Sequence, residues 1–194
     1  MAQNSSFSSN DNHSTTASDD GWSTRRIAMT ALLCAAAAIC TLFVEFPIVP
    51  GIAWLKYDPS GIVALIAGLV FGPATGAVVS VISYLPHVAT ASGFWGMLMA
   101  MAATFSLVVP AALVYRHDRS RRGLILSLVI GAVASVAASV VMNLVVTPIY
   151  AHMSISDVAA LIVPALLPFN IAKVAINCTV TALILKPVSR AIGQ

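Results

Sequence analysis

A chain of 194 residues with 59% hydrophobic and 9% charged side chains and a mean hydropathy of +0.92 cannot present a polar surface to water; a soluble domain carries roughly 25% charged residues. The net charge of +3 does not point to nucleic acid, because the basic residues stand at the ends of apolar runs rather than in stripes interleaved with aromatics. Cys34, Cys40 and Cys178 form no CxxC pair, which argues against a zinc site or disulfide framework and for small buried apolar residues.

Residues 1–24 are rich in Ser, Asn, Asp and Thr and read as a disordered cytoplasmic tail. The pair Arg25-Arg26 comes only after this polar lead, and no convincing cleavage site follows, so the next apolar run reads as a retained first span. Matches to the glycosylation pattern at Asn4, Asn12 and Asn177 mean little on a cytosolic tail or within a helix.

The first predicted span covers 27–44 and ends at Glu45-Phe46-Pro47. The segment 46–58, with Pro47, Pro50, Gly51, Trp54 and Tyr57, reads as an interfacial loop. Residues 59–87 could form one long helix, but Phe71-Gly72-Pro73 breaks it, because proline removes a donor and clashes with the preceding turn. Two short helices result, 59–71 and 74–86, each about 20 Å long. The charge pattern asks for the same split. The loop RHDRSRR at 116–122 should share the cytoplasmic side with Arg25-Arg26, so an even number of crossings must separate them.

The fourth span is predicted over 94–115 and the fifth over 123–146, followed by Thr147-Pro148-Ile149-Tyr150. Residues 151–157 read as an outer polar loop. Pro164 and Pro168 make 158–167 a poor span, so the sixth helix is placed at 168–185, with Lys186 and Arg190 inside. The fold class is therefore all-α: a membrane bundle of six transmembrane helices over 25–190 with both termini cytoplasmic. A five-span arrangement would leave RHDRSRR outside.

Small residues recur along two spans, Ala28, Ala31, Ala35 and Ala38 in the first and Gly131, Ser135 and Ser139 in the fifth. They permit close helix approach, either within the bundle or against another membrane subunit. Ionisable groups inside a span are expensive and tend to be functional. Lys173 is the clearest, with Asn170 on the same helical face and Asn143 near the outer end of the fifth helix. These donors suit a ligand with carbonyl and hydroxyl acceptors, or an anion; the plain alternative for Lys173 is a structural ion pair. Glu45, Lys56, Tyr57 and Asp58 cluster at the outer end of the first two helices, where Lys56 and Asp58 could be a simple surface pair, and a lone His87 makes no metal site. Trp54, Tyr57, Tyr84, Trp95 and Tyr150 fall near the outer boundary, where an aromatic belt explains them, though some could stack on a flat ring. No phosphate loop, GxSxG or HExxH motif occurs, so no catalytic constellation is expected.

Glu45-Phe46-Pro47, Leu55-Lys56-Tyr57-Asp58-Pro59-Ser60 and Phe71-Gly72-Pro73 stand in a familiar order. Gly93-Phe94-Trp95-Gly96, Thr147-Pro148-Ile149-Tyr150 and Leu167-Pro168-Phe169-Asn170-Ile171-Ala172-Lys173 continue it. The chain resembles the substrate-binding S components of energy-coupling factor vitamin transporters, in their riboflavin-type branch, over about 27–188. The resemblance implies a bacterial cytoplasmic-membrane protein with a vitamin pocket open outward. Asn170 and Lys173 match the family's ligand-contacting asparagine and lysine, and Ala31 and Ala35 match its docking motif. It also implies a separate transmembrane coupling subunit and two cytoplasmic ATPases, with riboflavin as cargo rather than cofactor. The flavin ring would lie among Trp54, Tyr57 or Trp95, with Asn170, Lys173 and Asn143 bonding its polar edge. The chain departs from the pattern at Ser80, Ser83 and Tyr84, where an acid and a Lys-Asn pair are usual, and at Ala100, where an asparagine is usual. A pyridoxine-like cargo, or a structural membrane subunit without ligand, are the other readings.

Overall fold

The computed structural model describes residues 22–48, 55–89 and 93–192. Most of the tail and the tip of the first loop, with Trp54, lie outside the described residues.

Helix α1 runs Thr24–Phe43, earlier than the expected 27–44, because Ser23 caps it by accepting from the Arg26 N–H at 3.2 Å. Ser23 and Thr24 thus belong to the helix and not to the tail. Beyond it, β1 (Phe46–Pro47) pairs antiparallel with β2 (Lys56–Tyr57), with Phe46 opposite Tyr57. The first loop therefore folds back on itself.

Helices α2 (Ser60–Phe71) and α3 (Pro73–Ile82) are separated at Gly72, as the sequence leads one to expect. Gly72 has φ +96°, a conformation L side chains rarely adopt, and Pro73 opens α3, where its missing N–H goes unneeded. α3 stops at Ile82 rather than at 86, and a 3₁₀ turn over Leu85–Ala89 completes the segment. Helix α4 spans Gly93–His117 and carries Pro110 within it.

Two expectations need correction. Helix α5 runs Arg121–Ala151 and passes straight through Pro148. In lipid, neighbouring side chains and helices satisfy the carbonyl that a proline frees, so such prolines are tolerated. The expected polar loop at 151–157 is short, because α6 (Ile155–Leu161) starts inside it. A capping box drives this start: Ser154 Oγ accepts from the Asp157 N–H at 3.2 Å, and Asp157 Oδ2 accepts from the Ser154 N–H at 3.3 Å. A π turn over Ile162–Leu166 then carries the chain past Pro164 into α7 (Leu167–Ala191), longer than the expected 168–185.

Among the described residues, four helical stretches are long and apolar enough to cross a bilayer: Thr24–Phe43, Gly93–His117, Arg121–Ala151 and Ile155–Ala191. The core lies where α1, α2, α4, α5 and α7 meet, with Ala37, Leu65, Ala67, Val108 and Ala111 fully enclosed. Apolar side chains also face outward, among them Leu32, Val133 and Leu183. A water-facing surface of this kind would be aggregation-prone, but against lipid tails it is required.

Packing gives the two small-residue rows different roles. Gly131, Ser135 and Ser139 are buried; Gly131 sits on the α4 backbone at Leu107, and Ser135 donates to Ala103 O at 2.8 Å. Ala28, Ala31 and Ala35 face outward, while Thr30, Cys34, Ala37 and Thr41 form the buried face of α1. Ala28, Ala31 and Ala35 are therefore not part of the internal packing, whereas Ala38 is half-buried.

Candidate functional site

Contacts fix the two ends of the bundle. At one end Arg26 Nε donates to Thr75 Oγ1 at 3.0 Å, and Arg25 reaches the Ile192 carbonyl. The α4–α5 turn and the end of α7 lie at that same end, sharing a cavity with Leu69 and Val70 of α2. At the opposite end the β1–β2 ribbon meets the start of α2, the end of α3 and the first turns of α7.

A buried polar cluster occupies this second end. Asp58, immediately before α2, is 7% exposed. Its Oδ1 accepts from the Ser60 N–H at 3.1 Å and from the Ser60 hydroxyl. Its Oδ2 pairs with Lys173 Nζ at 3.1 Å. The Tyr84 hydroxyl lies 2.7 Å from Ser60 Oγ and donates to the Asp58 carboxylate at 3.3 Å, while Thr104 Oγ1 donates to Tyr84 at 3.2 Å. One turn past Lys173, Asn177 Oδ1 accepts from the Tyr57 hydroxyl at 2.9 Å. The loop, the turn after α3, α4 and α7 are thereby tied at one place. Phe46 stacks edge-on against Tyr57 with centroids 5.5 Å apart, and Glu45 pairs with Lys56 at 2.5 Å, fastening the ribbon's base.

The expected Lys56–Asp58 surface pair is therefore wrong. Lys56 belongs to Glu45, and Asp58 belongs to Lys173. A buried ammonium needs a counter-charge far more than an exposed one does, so the single acid at the mouth of α2 goes to Lys173.

The structure brings Tyr57 and Lys173 into one cluster. Asn170 and Asn143 are buried, but each amide nitrogen donates back to its own helix, to Leu166 O and Ser139 O, both at 2.7 Å. Thr147 Oγ1 donates to Asn143 Oδ1 at 3.4 Å. Trp95 is half-buried in the first turn of α4 and stacks edge-on against Phe94 at 5.4 Å. Among the described residues, no hydrogen bond joins Asn143, Asn170 or Trp95 to the Asp58 cluster. A second apolar patch of Leu55, Val158, Ala165, Leu166 and Phe169 seats the loop on α6 and the π turn.

Sequence reasoning did not single out Ser60, Tyr84, Thr104 and Asn177 as one group. Tyr84 looked like a belt aromatic, yet it is 1% exposed. One signal was available. A lysine within an apolar helix requires a carboxylate, and beyond the tail the sequence offers only Glu45, Asp58, Asp118 and Asp157.

The comparisons agree with this architecture. A family model described as ECF transporter, substrate-specific component, matches residues 25–185. The riboflavin transporter RibU of Staphylococcus aureus (strain TCH60) is 29% identical over 156 residues, covering 77% of this chain and 82% of that protein. The riboflavin transporter FmnP of Bacillus subtilis (strain 168) is 29% identical over 178 residues, covering 84% of this chain and 93% of that protein. A solved structure, described as the S component of a bacterial ECF transporter, superposes with a TM-score of 0.75 at 24% identity. It covers 88% of this chain and 98% of its own, and it shows the shared fold. The family is one of transport components, not of enzymes. The chain belongs to the ECF transporter family of substrate-specific components.

Proposed function

We propose that this chain captures riboflavin at the end of the bundle that carries Asp58 and Lys173, and that this end faces outward. The carrying observation is the Asp58–Lys173 pair at 3.1 Å, buried where the first loop closes on α7. With the ammonium already neutralised, the site suits an uncharged ligand rich in carbonyls and hydroxyls better than an anion. Riboflavin has that chemistry, and its names on the relatives support the choice. Asn170, Lys173 and Asn143 would supply polar contacts. Tyr57, Trp95 and Trp54 would supply ring contacts.

Orientation follows from charge. Arg25, Arg26, Arg116, Arg119, Arg121, Arg122, Lys186 and Arg190 gather at one end, which is eight of the ten lysines and arginines. The positive-inside rule makes that end cytoplasmic, with six crossings and both termini inside. The short helices α2 and α3 supply two of the crossings.

Energy would come from a separate transmembrane coupling subunit and two cytoplasmic ATPases. Ala31 and Ala35, exposed on α1, form the docking row. Ala31→Leu and Ala35→Leu are expected to leave vitamin affinity unchanged and to reduce uptake in cells at least tenfold. Lost affinity in either variant would return these alanines to a folding role.

A fluorescence-quenching titration of purified protein with riboflavin tests the proposal. Saturable quenching at near one flavin per chain supports it, and a flat titration sinks it. The Asp58–Lys173 pair also favours one rival, a structural subunit in which Lys173 only holds the loop. That rival predicts the flat titration.

A further inference from the structure

A cavity of about 350 Å³ opens between α2, α4, α5 and α7. Arg119, Arg121, Lys186 and Arg190 line it, together with Tyr115 and Ser120. All four cations are exposed at its rim. Beneath them, the floor is apolar: Leu69, Val70 and Leu185 are each less than a tenth exposed.

The cations of this rim have no carboxylate partner among the described residues, where the ion pairs are Lys56–Glu45 and Lys173–Asp58. The nearest acid in sequence is Asp118, and it is committed elsewhere. Its Oδ1 accepts from the Ser120 N–H at 2.8 Å, and its Oδ2 accepts from the Ser120 hydroxyl at 2.9 Å. The backbone bond from Ser120, and then the hydroxyl bond, hold the Asp118 carboxyl below its ordinary range, so it stays ionised while locking the turn. Asp118 also curls over Gly123, where any side chain would collide with its backbone. The turn thus fixes Arg119 and Arg121 on either side of Ser120. Arg26, by contrast, is already engaged by Thr75 and by the Trp22 ring at 4.7 Å.

We propose that this cavity binds the phosphate-bearing headgroup of an anionic membrane lipid. Arginines recognise phosphate oxygens through paired N–H donors, and basic pockets between spans at the cytoplasmic side suit such headgroups. The apolar floor decides between lipid and free phosphate. A phosphate ion would engage only the charged rim, whereas a glycerophospholipid also brings apolar chains to the apolar part of the lining. The site is at the opposite end from the vitamin cluster and does not depend on which vitamin is carried. Bound there, a lipid would bridge the α4–α5 turn to the end of α7.

Native mass spectrometry of the full chain in neutral detergent tests this. The probes are dioctanoyl phosphatidylglycerol, dioctanoyl phosphatidylcholine and inorganic phosphate, each titrated separately. Phosphatidylglycerol is expected to bind at least tenfold more tightly than phosphatidylcholine, and to weaken as salt is raised. Arg121→Gln combined with Lys186→Gln should reduce that affinity at least tenfold. A second pair, Arg119→Gln with Arg190→Gln, should do the same, and unchanged vitamin affinity in either pair shows that the fold survives. Equal binding of the two lipids, or full affinity in both double variants, would overturn the proposal. Phosphate binding as tight as phosphatidylglycerol would overturn its lipid part.

Discussion

Lys173→Ala is expected to lower the stability of the purified protein by about 3–5 kcal/mol, because it strands the Asp58 carboxylate in a buried site. The side chains of the pair are 14% and 10% exposed, so solvent screens the unpaired charge poorly. The ion pair also joins the first loop to α7, 115 residues further along the chain. Its loss should loosen the ribbon as well as the helix. Asp58→Asn in the Lys173→Ala background removes both charges and should recover most of the lost stability. A double-mutant cycle measured by thermal unfolding separates the pair from its parts; strictly additive effects would show that the two groups do not interact. In the same variants, Lys173→Ala should weaken riboflavin binding at least tenfold, about 1.4 kcal/mol. The double variant should regain stability and not affinity. If it regains both, the lysine is a structural residue and contributes nothing to the ligand.

Gly76→Ala is expected to separate α2 from α3. A Cβ there would lie 2.7 Å from Gly68 Cα, 3.1 Å from Gly68 N and 2.6 Å from Val108 Cγ1. Val108 can turn away, but the Gly68 backbone cannot, so the two short helices must move apart. Overpacking of this kind costs about 1–3 kcal/mol. For a chain of this size each kcal/mol shifts the melting temperature by about 2–4 °C. Adding Val108→Ala relieves only the side-chain part of the collision and should restore little. A Gly76→Ala protein that melts like the parent, or a full rescue by Val108→Ala, would show that the helices have room to adjust.

Much of this architecture was legible in the residues. The break between α2 and α3 rests on Gly72 and Pro73, whose backbone restrictions act locally and need no tertiary information. The membrane class rests on composition alone. The end of α5 was harder, because Pro148 stops helices in water, where a freed carbonyl need not be shielded by neighbours. The start of α6 was written in Ser154 and Asp157, but a short polar segment between two apolar ones reads first as a loop. Both corrections lengthen helices, as expected where the solvent cannot satisfy a bare backbone.

The Asp58–Lys173 cluster was only partly legible, for a different reason. Lys173 and Asn170 stand out because polar residues inside apolar helices are rare. Their partners do not stand out, because pairing is a tertiary event. Asp58 sits two residues from Lys56, and local reading joins those two; the fold instead sends Lys56 back to Glu45 across the ribbon. Tyr84 is one of the positions at which the resemblance to riboflavin-type components leads one to expect a different residue. Here its hydroxyl sits between Ser60, Asp58 and Thr104, so the turn after α3 takes part in holding the ion pair.

Whether the bundle carries riboflavin is read most directly by native mass spectrometry of the purified chain after exposure to a mixture of vitamins that includes riboflavin and pyridoxine. One retained riboflavin per chain is expected, released when Lys173 is replaced by alanine. Retention of pyridoxine or another vitamin in its place, or a bare chain throughout, would contradict it.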